Sequence, residues 1–180
     1  MRFVILDRDG VINVDSPDYI RTPGQWQPIP GSIEAIAALS RAGFEIIVAT
    51  NQSGLGRGLF GLGELEAMHR KLCAAVEERG GRIGSIFYCP HRPDDGCACR
   101  KPATGLLDAA ERQYGCSLAG SVLVGDSMRD IELARAKDCA PVLVLTGNGI
   151  KTSARLGAHD ADVRVFNDLA AAAVAILHEG

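Results

Sequence analysis

Val4-Ile5-Leu6-Asp7-Arg8-Asp9-Gly10 runs an apolar strand into two carboxylates two positions apart, and the glycine that follows lets the backbone turn away. An extended chain alternates its side chains, so Asp7 and Asp9 are expected on one side and Arg8 on the other. Like charges held this close need a cation or a shared proton. One opposite charge at ~4 Å contributes about 4 kcal/mol at an effective dielectric of about 20. An all-oxygen site suits Mg2+, which takes a few carboxylates together with water and substrate phosphate. A charged turn after an edge strand is the plainer alternative, and the rest of the chain weighs against it.

The apolar run is the first of a series. Phe3–Leu6, Phe44–Ala49, Ile86–Tyr88, Val122–Val124 and Val142–Leu145 read as strands, with Val163–Phe166 a weaker sixth. Between them, Ser32–Ala42, Gly63–Arg79, Gly105–Tyr114 and Ser127–Lys137 carry the three-and-four spacing of helices, and Asp168–Leu177 closes the series. Near-continuous apolar strands alternating with helices predict an α/β fold, a doubly wound parallel sheet with helices on both faces. In such sheets ligands collect at the carboxyl ends of the strands. Residues 1–180 read as one domain, without repeats, linkers or an insertion long enough for a separate cap domain.

Hydrophobic residues at 47% and charged residues at 23% fit an ordinary soluble globular chain. The net charge of −3 leaves no basic footprint for nucleic acid. The first apolar run is too short for a signal peptide or a membrane span, so a cytoplasmic protein without a membrane partner is expected. A monomer is the default, since no helix carries a spare apolar face. Six cysteines in a chain of this kind argue for a metal or free thiols over disulfides.

Three other strand ends carry chemistry. Thr50-Asn51-Gln52-Ser53-Gly54 is a donor-rich turn of the type that cradles phosphate oxygens. In Arg100-Lys101-Pro102, Lys101 can place a compact cation against a phosphoryl group while Arg100 forks onto a second anion. Gly125-Asp126-Ser127-Met128-Arg129-Asp130 offers Asp126 as a further metal ligand, with Asp130 one helical turn on to support a ligand or Lys101 from behind. Cys89-Pro90-His91 and Cys97-Ala98-Cys99 put three thiols and an imidazole within eleven residues, a set suited to tetrahedral Zn2+. A closed shell of Cys89, His91, Cys97 and Cys99 leaves no open position, so this zinc is expected to be structural and to staple residues 89–99, the loop that delivers Arg100 and Lys101. Two rival motifs fail on inspection. Cys73 to Arg79 has the Cys-x5-Arg spacing of a different phosphatase loop, but its Ala-Ala-Val-Glu-Glu reads as acidic helix. Gly147-Asn148-Gly149-Ile150-Lys151-Thr152 suggests a nucleotide loop with the wrong glycine spacing.

Asp7 and Asp9, Thr50, Lys101 and the Gly125–Asp130 stretch, in this order, resemble the haloacid dehalogenase superfamily of aspartate-nucleophile phosphatases. The resemblance implies that Asp7 attacks phosphorus and that Asp9 serves as acid and then base. It also implies Mg2+ on Asp7, Asp126 and Asp9 (the last through its backbone carbonyl), with Thr50 and Lys101 neutralising the phosphoryl group. The zinc clip feeding Cys-x-Cys-Arg-Lys-Pro narrows this to a subgroup containing heptose bisphosphate and histidinol-phosphate phosphatases. Asp7 through Asp15 with Asp18-Tyr19, and Asn51-Gln52-Ser53-Gly54 continuing to Gly56-Arg57-Gly58, resemble the heptose branch. That branch implies a small sugar bisphosphate as partner, losing its C7 phosphate on the way to lipopolysaccharide-core or S-layer heptose. It implies substrate contacts from Thr50, Asn51, Gln52, Ser53, Arg100 and Lys101, sugar contacts from Asp15 and Tyr19, and help from Arg57. The chain departs from the pattern with Ser127 where a lysine is frequent, a short zinc loop and a longer Asp15–Tyr19 segment. Two alternatives stay open: a histidinol-phosphate phosphatase, whose cationic substrate favours a carboxylate over Arg100, and a non-catalytic zinc-clipped binding module.

Overall fold

Alternation within the strands decides which side chains go to which face. In the computed structural model, which describes residues 1–179, Val4 and Leu6 of β1 (Arg2–Leu6) enter one apolar cluster while Phe3 and Ile5 enter the other. The remaining strands are β2 (Phe44–Asn51), β3 (Ser85–Cys89), β4 (Val122–Gly125), β5 (Ala140–Val144) and β6 (Arg164–Phe166). All pair in parallel, in the order β3-β2-β1-β4-β5-β6. Helices α1 (Ser32–Arg41), α3 (Leu62–Glu77) and α7 (Leu169–Glu179) cover the first face. Helices α4 (Gly105–Tyr114) and α5 (Met128–Ala136) cover the second. This is the doubly wound α/β fold, with strands buried on both sides.

The strand order reverses between β1 and β4, which opens a crevice at their carboxyl ends, the place where such sheets bind ligands. The backbone of Asp7 is locked into that crevice by its N–H, which donates to Val124 O at 2.9 Å. Beyond it the chain makes a single tight turn, with the N–H groups of Val11, Ile12 and Asn13 all donating to Arg8 O. The long connection to α1 then folds back on itself: Val14 N–H donates to Gln27 O and Ile29 N–H to Ile12 O, each at 2.9 Å. Trp26, 1% exposed, plugs this excursion into the core. Lys71 of α3 pins it from outside, donating to Pro23 O at 2.7 Å and Trp26 O at 2.9 Å with its ammonium over the indole ring.

Two local features differ from the expectation and a third agrees with it. β2 runs two residues past Ala49, so Thr50 and Asn51 are strand residues in register with Tyr88 and Cys89. The short helices α2 (Ser53–Gly56) and α6 (Gly149–Ser153) are too brief to show a periodicity. Cys73 lies on α3, so the Cys-x5-Arg spacing is helix and not a phosphate loop. Among the described residues, no helix is long and apolar enough to cross a membrane.

The central strands are close-packed, so truncation there leaves a cavity. Ile47→Ala, at a fully buried position of β2, is expected to cost about 2–5 kcal/mol of unfolding free energy, read from the shift in a urea transition.

Candidate active site

The carboxyl ends of β1, β2 and β4, together with the loop after β3, wall a cavity of about 210 Å³. Asp7, Asp9, Asp15, Tyr19, Thr50, Asn51, Gln52, Ser53, Arg100, Lys101 and Asp126 all line it. Lys101, 3% exposed, is its electrostatic centre. Its Nζ lies 2.9 Å from Asp7 Oδ1 and 2.7 Å from Asp130 Oδ1, and donates to Ala49 O at 2.9 Å. Burial works against the ammonium, yet Asp130 and Asp7 outweigh it and hold its pKa above the usual lysine value. Asp130 is itself occupied: Ser127 N–H donates to its Oδ2 at 3.1 Å and Ser127 Oγ at 2.5 Å, so it caps α5 and braces Lys101 from below.

One oxygen from each of Asp7, Asp126 and Asp130 can be chosen so that all lie within 4.8 Å of one another. One lysine cannot balance three acids. Burial pushes Asp7 up to about 8; Asp130 and Asp126 add to the rise and Lys101 only partly offsets it. Burial likewise pushes Asp126 up to about 6, despite two N–H donors from Asn148. Acids pushed up in this way are neutralised by a proton or by a cation, so the donor set fits a hard divalent ion. The Asp9 side chain stands apart from this cluster.

Asp9 has the opposite environment, and Arg8 is the reason. Strand alternation would turn Arg8 away, but β1 ends at Leu6 and the tight turn brings the guanidinium round onto its neighbour. Arg8 is 1% exposed, with Nε 3.0 Å and Nη2 2.9 Å from Asp9 Oδ1. Asn13 Nδ2 donates to the same oxygen at 2.9 Å and Gln52 Nε2 to Oδ2 at 2.8 Å. Burial opposes the charge, but Arg8, Asn13 and Gln52 together hold Asp9 below the usual carboxylate range. Behind Arg8, His69 of α3 sets its Nε2 3.3 Å from Nη1. Burial, and then the Arg8 charge, press His69 down to about 4, so it stays neutral and accepts from Arg8.

The four candidate zinc ligands, Cys89, His91, Cys97 and Cys99, come together at the carboxyl end of edge strand β3. Sγ of Cys99 lies 3.2 Å from Cys89 Sγ and 3.6 Å from Cys97 Sγ, and His91 Nδ1 lies 3.2 Å from Cys99 Sγ. Thiolate and imidazole ligands around tetrahedral zinc would stand about 3.5–3.8 Å apart, and the four groups come within roughly half an ångström of that shell. Backbone N–H groups of Arg100 and Cys99 bring the Cys97 thiol down to about 7 against the effect of burial. One residue on from the clip's flank, the Asn51 side chain grips Lys101 at both backbone groups, Nδ2 to O at 3.2 Å and N–H to Oδ1 at 3.0 Å.

The amides of Asn51 and Gln52 thus bond to Lys101, Asp9 and Thr50 within the protein while both residues line the cavity. Arg57 is exposed and outside the cavity lining. Arg129 and Asn148 line the cavity without having been expected there. Arg129 had a signal, a cation within the Asp126–Asp130 turn; Arg8 and His69 had none, because only the tertiary fold puts them behind Asp9.

A family model described as HAD-hydrolase-like matches residues 98–172. The chain is 56% identical over 174 residues, covering 97% of each chain, to D-glycero-beta-D-manno-heptose-1,7-bisphosphate 7-phosphatase of Pseudomonas aeruginosa. It is 50% identical over 179 residues, 99% of each chain, to the protein of the same name from Bordetella bronchiseptica. The crystal structure of D,D-heptose 1,7-bisphosphate phosphatase from B. bronchiseptica, complexed with magnesium and phosphate, superposes with a TM-score of 0.95 at 49% identity, covering both chains fully.

The depressed pKa of His69 carries a linkage consequence. Unfolding lets the imidazole take up a proton between its ordinary value of 6.5 and its folded value of about 4, so its contribution is present above pH 6.5 and is lost as pH falls through that window. His69→Gln is expected to flatten the acid limb of stability between pH 6.5 and 4, measured by urea unfolding at a series of pH values. An identical acid limb in both proteins would refute the assignment.

Proposed function

The chain belongs to the HAD-like hydrolases, among the heptose-1,7-bisphosphate 7-phosphatases, and on that premise we propose that it releases the C7 phosphate of D-glycero-β-D-manno-heptose 1,7-bisphosphate through an aspartyl-phosphate. It is a phosphoric monoester hydrolase. The observation that carries the mechanism is Asp7 at the switch-point crevice, 2.9 Å from a buried Lys101 and close to Asp126. The β anomer is preferred in this reading because the relatives carry it in their names.

In the first half-reaction Asp7 bonds to phosphorus as the bond from phosphorus to the C7 oxygen breaks, and Asp9 gives that oxygen a proton. In the second, Asp9 takes a proton from the water that attacks the aspartyl-phosphate, and free phosphate leaves while Asp7 is restored. Arg8, Asn13 and Gln52 keep Asp9 ionised before substrate arrives, the state the second half needs. A phosphate dianion beside it raises its proton affinity, which favours the acid form the first half needs. Lys101 and the Thr50 hydroxyl stabilise the equatorial oxygens. Asp7, Asp126 and the Asp9 backbone carbonyl would hold Mg2+. When bound, that ion supplies the positive charge that lets a carboxylate approach a phosphate. Zn2+ on Cys89, His91, Cys97 and Cys99 would fix the loop bearing Arg100 and Lys101.

Arg100 and Arg129, both on the cavity wall, suit the phosphate that stays on the sugar. Two arginines there favour a bisphosphate over the ammonium group of histidinol phosphate. Asp15 and Tyr19 would meet the sugar ring. The reading extends to a cytoplasmic monomer serving nucleotide-activated heptose synthesis for lipopolysaccharide core or S-layer.

Phosphate release with Mg2+ tests the reading. Turnover is expected to be fastest on the β-1,7-bisphosphate, slower on the α anomer and slowest on histidinol phosphate. Asp7→Asn is expected to lower kcat by on the order of 10³-fold or more with an unchanged circular dichroism spectrum. A preference for histidinol phosphate would overturn the substrate, and substantial Mg2+-dependent turnover by the variant would overturn the nucleophile. Stripping zinc is expected to speed amide exchange in residues 89–101 far more than in the sheet. Unchanged exchange and activity in verified zinc-free protein would refute the clip's role.

A further inference from the structure

The glycine-containing stretch after β5, Thr146-Gly147-Asn148-Gly149, has the wrong spacing for a nucleotide loop, yet it converges on Asp126 from several directions. Asn148 donates to Asp126 Oδ2 twice, through its backbone N–H at 2.8 Å and through Nδ2 at 3.1 Å. Thr152 Oγ1 donates to the Asp126 backbone carbonyl at 2.8 Å, and Thr146 Oγ1 donates to Gly10 O at 2.6 Å, tying the β5 loop to the β1 loop across the crevice. Gly147 and Gly10 both have positive φ, 56° and 83°, and a Cβ on either would overlap Asp126 Oδ2. The carboxylate is therefore slotted between two bare backbones.

Asn148 occupies the N-cap of α6, where an asparagine side chain ordinarily accepts from the helix's first N–H groups. Here it makes no such bond. Its amide is turned the other way, onto Asp126, and its Nδ2 also stands 3.5 Å from Asp15 Oδ2. Among the described residues, both donors reach the same oxygen of Asp126 and none reaches Oδ1.

We propose that Asn148 is a positioning residue for the catalytic cation: it saturates one oxygen of Asp126, reserves the other for the ion, and ties the ion's seat to Asp15 on the excursion over the cavity. The proposal rests on the Mg2+-dependent reading above. It assigns Asn148 no contact with the reacting atoms; it acts through Asp126.

The test is calorimetric titration of Mg2+ into metal-free protein, wild type against Asn148→Ala and the isosteric Asn148→Asp. Asn148 is exposed, and its backbone N–H survives both changes. Loss of an outer partner of a metal ligand is expected to weaken Mg2+ binding about 10-fold or more. Asn148→Asp, which sets a third carboxylate against Asp126 and Asp15, should bind no better than Asn148→Ala. Thermal unfolding of metal-free wild type and Asn148→Ala should coincide, which a merely structural role for the side chain would not allow. Wild-type affinity in both variants would overturn this inference and leave the phosphatase reading intact. Failure of the wild type itself to bind Mg2+ would overturn that reading and this inference with it.

Discussion

Three carboxylates share one crevice with one buried ammonium, and the surrounding architecture answers to that imbalance. Asp7, Asp126 and Asp130 arrive after β1, after β4 and on α5, elements the fold needs anyway. The reversal of strand order between β1 and β4 aims the first two at one point. Lys101 comes from elsewhere, on a loop long enough to wander, and two contacts hold it: the Asn51 clamp on its backbone and Ala49 O on its Nζ. Rigid sheet ends bring the negative charge; a clamped loop brings the positive.

The pair Asp7 and Asp9 shows how little a motif says about proton affinity. Two aspartates two positions apart are chemically identical in the chain, yet one is pushed up to about 8 and the other held below the ordinary range. The difference comes from what faces each of them: further acids for Asp7, and Arg8 with two amides for Asp9. Environments that push two titratable groups apart let like side chains take different roles, as the proposed mechanism asks of this pair.

The sheet was legible because apolar runs and helical spacing are local signals, and each strand lay within a few residues of its expected span. Asp7 and Asp126 were legible because strand ends in a parallel sheet meet at one edge, and Lys101 because a cation beside a proline follows the Cys-x-Cys pair. Arg8 was not, because a pleat-based reading stops where the strand stops, and the turn after Leu6 reverses the side on which the guanidinium falls. His69 was hidden on a helix whose other buried residues, Leu65, Met68, Leu72 and Val76, are ordinary core. Asn51 and Gln52 looked like phosphate donors because their chemistry is right. Only the fold reveals that their amides also bond to Lys101 and Asp9.

The excursion between Val14 and Ile29 is closed at its two ends by backbone bonds, Val14 to Gln27 and Ile29 to Ile12, and is held near Trp26 by that buried indole and by Lys71. It carries Asp15 and Tyr19 but none of the groups that would form or break a bond to phosphorus. In the proposed reading, the sugar-ring contacts and the groups that act on phosphorus lie on separate stretches of chain, linked through the Asn148 amide that faces both Asp15 and Asp126. A lineage could rewrite this segment by insertion or exchange, and acquire a different sugar, so long as that link is kept.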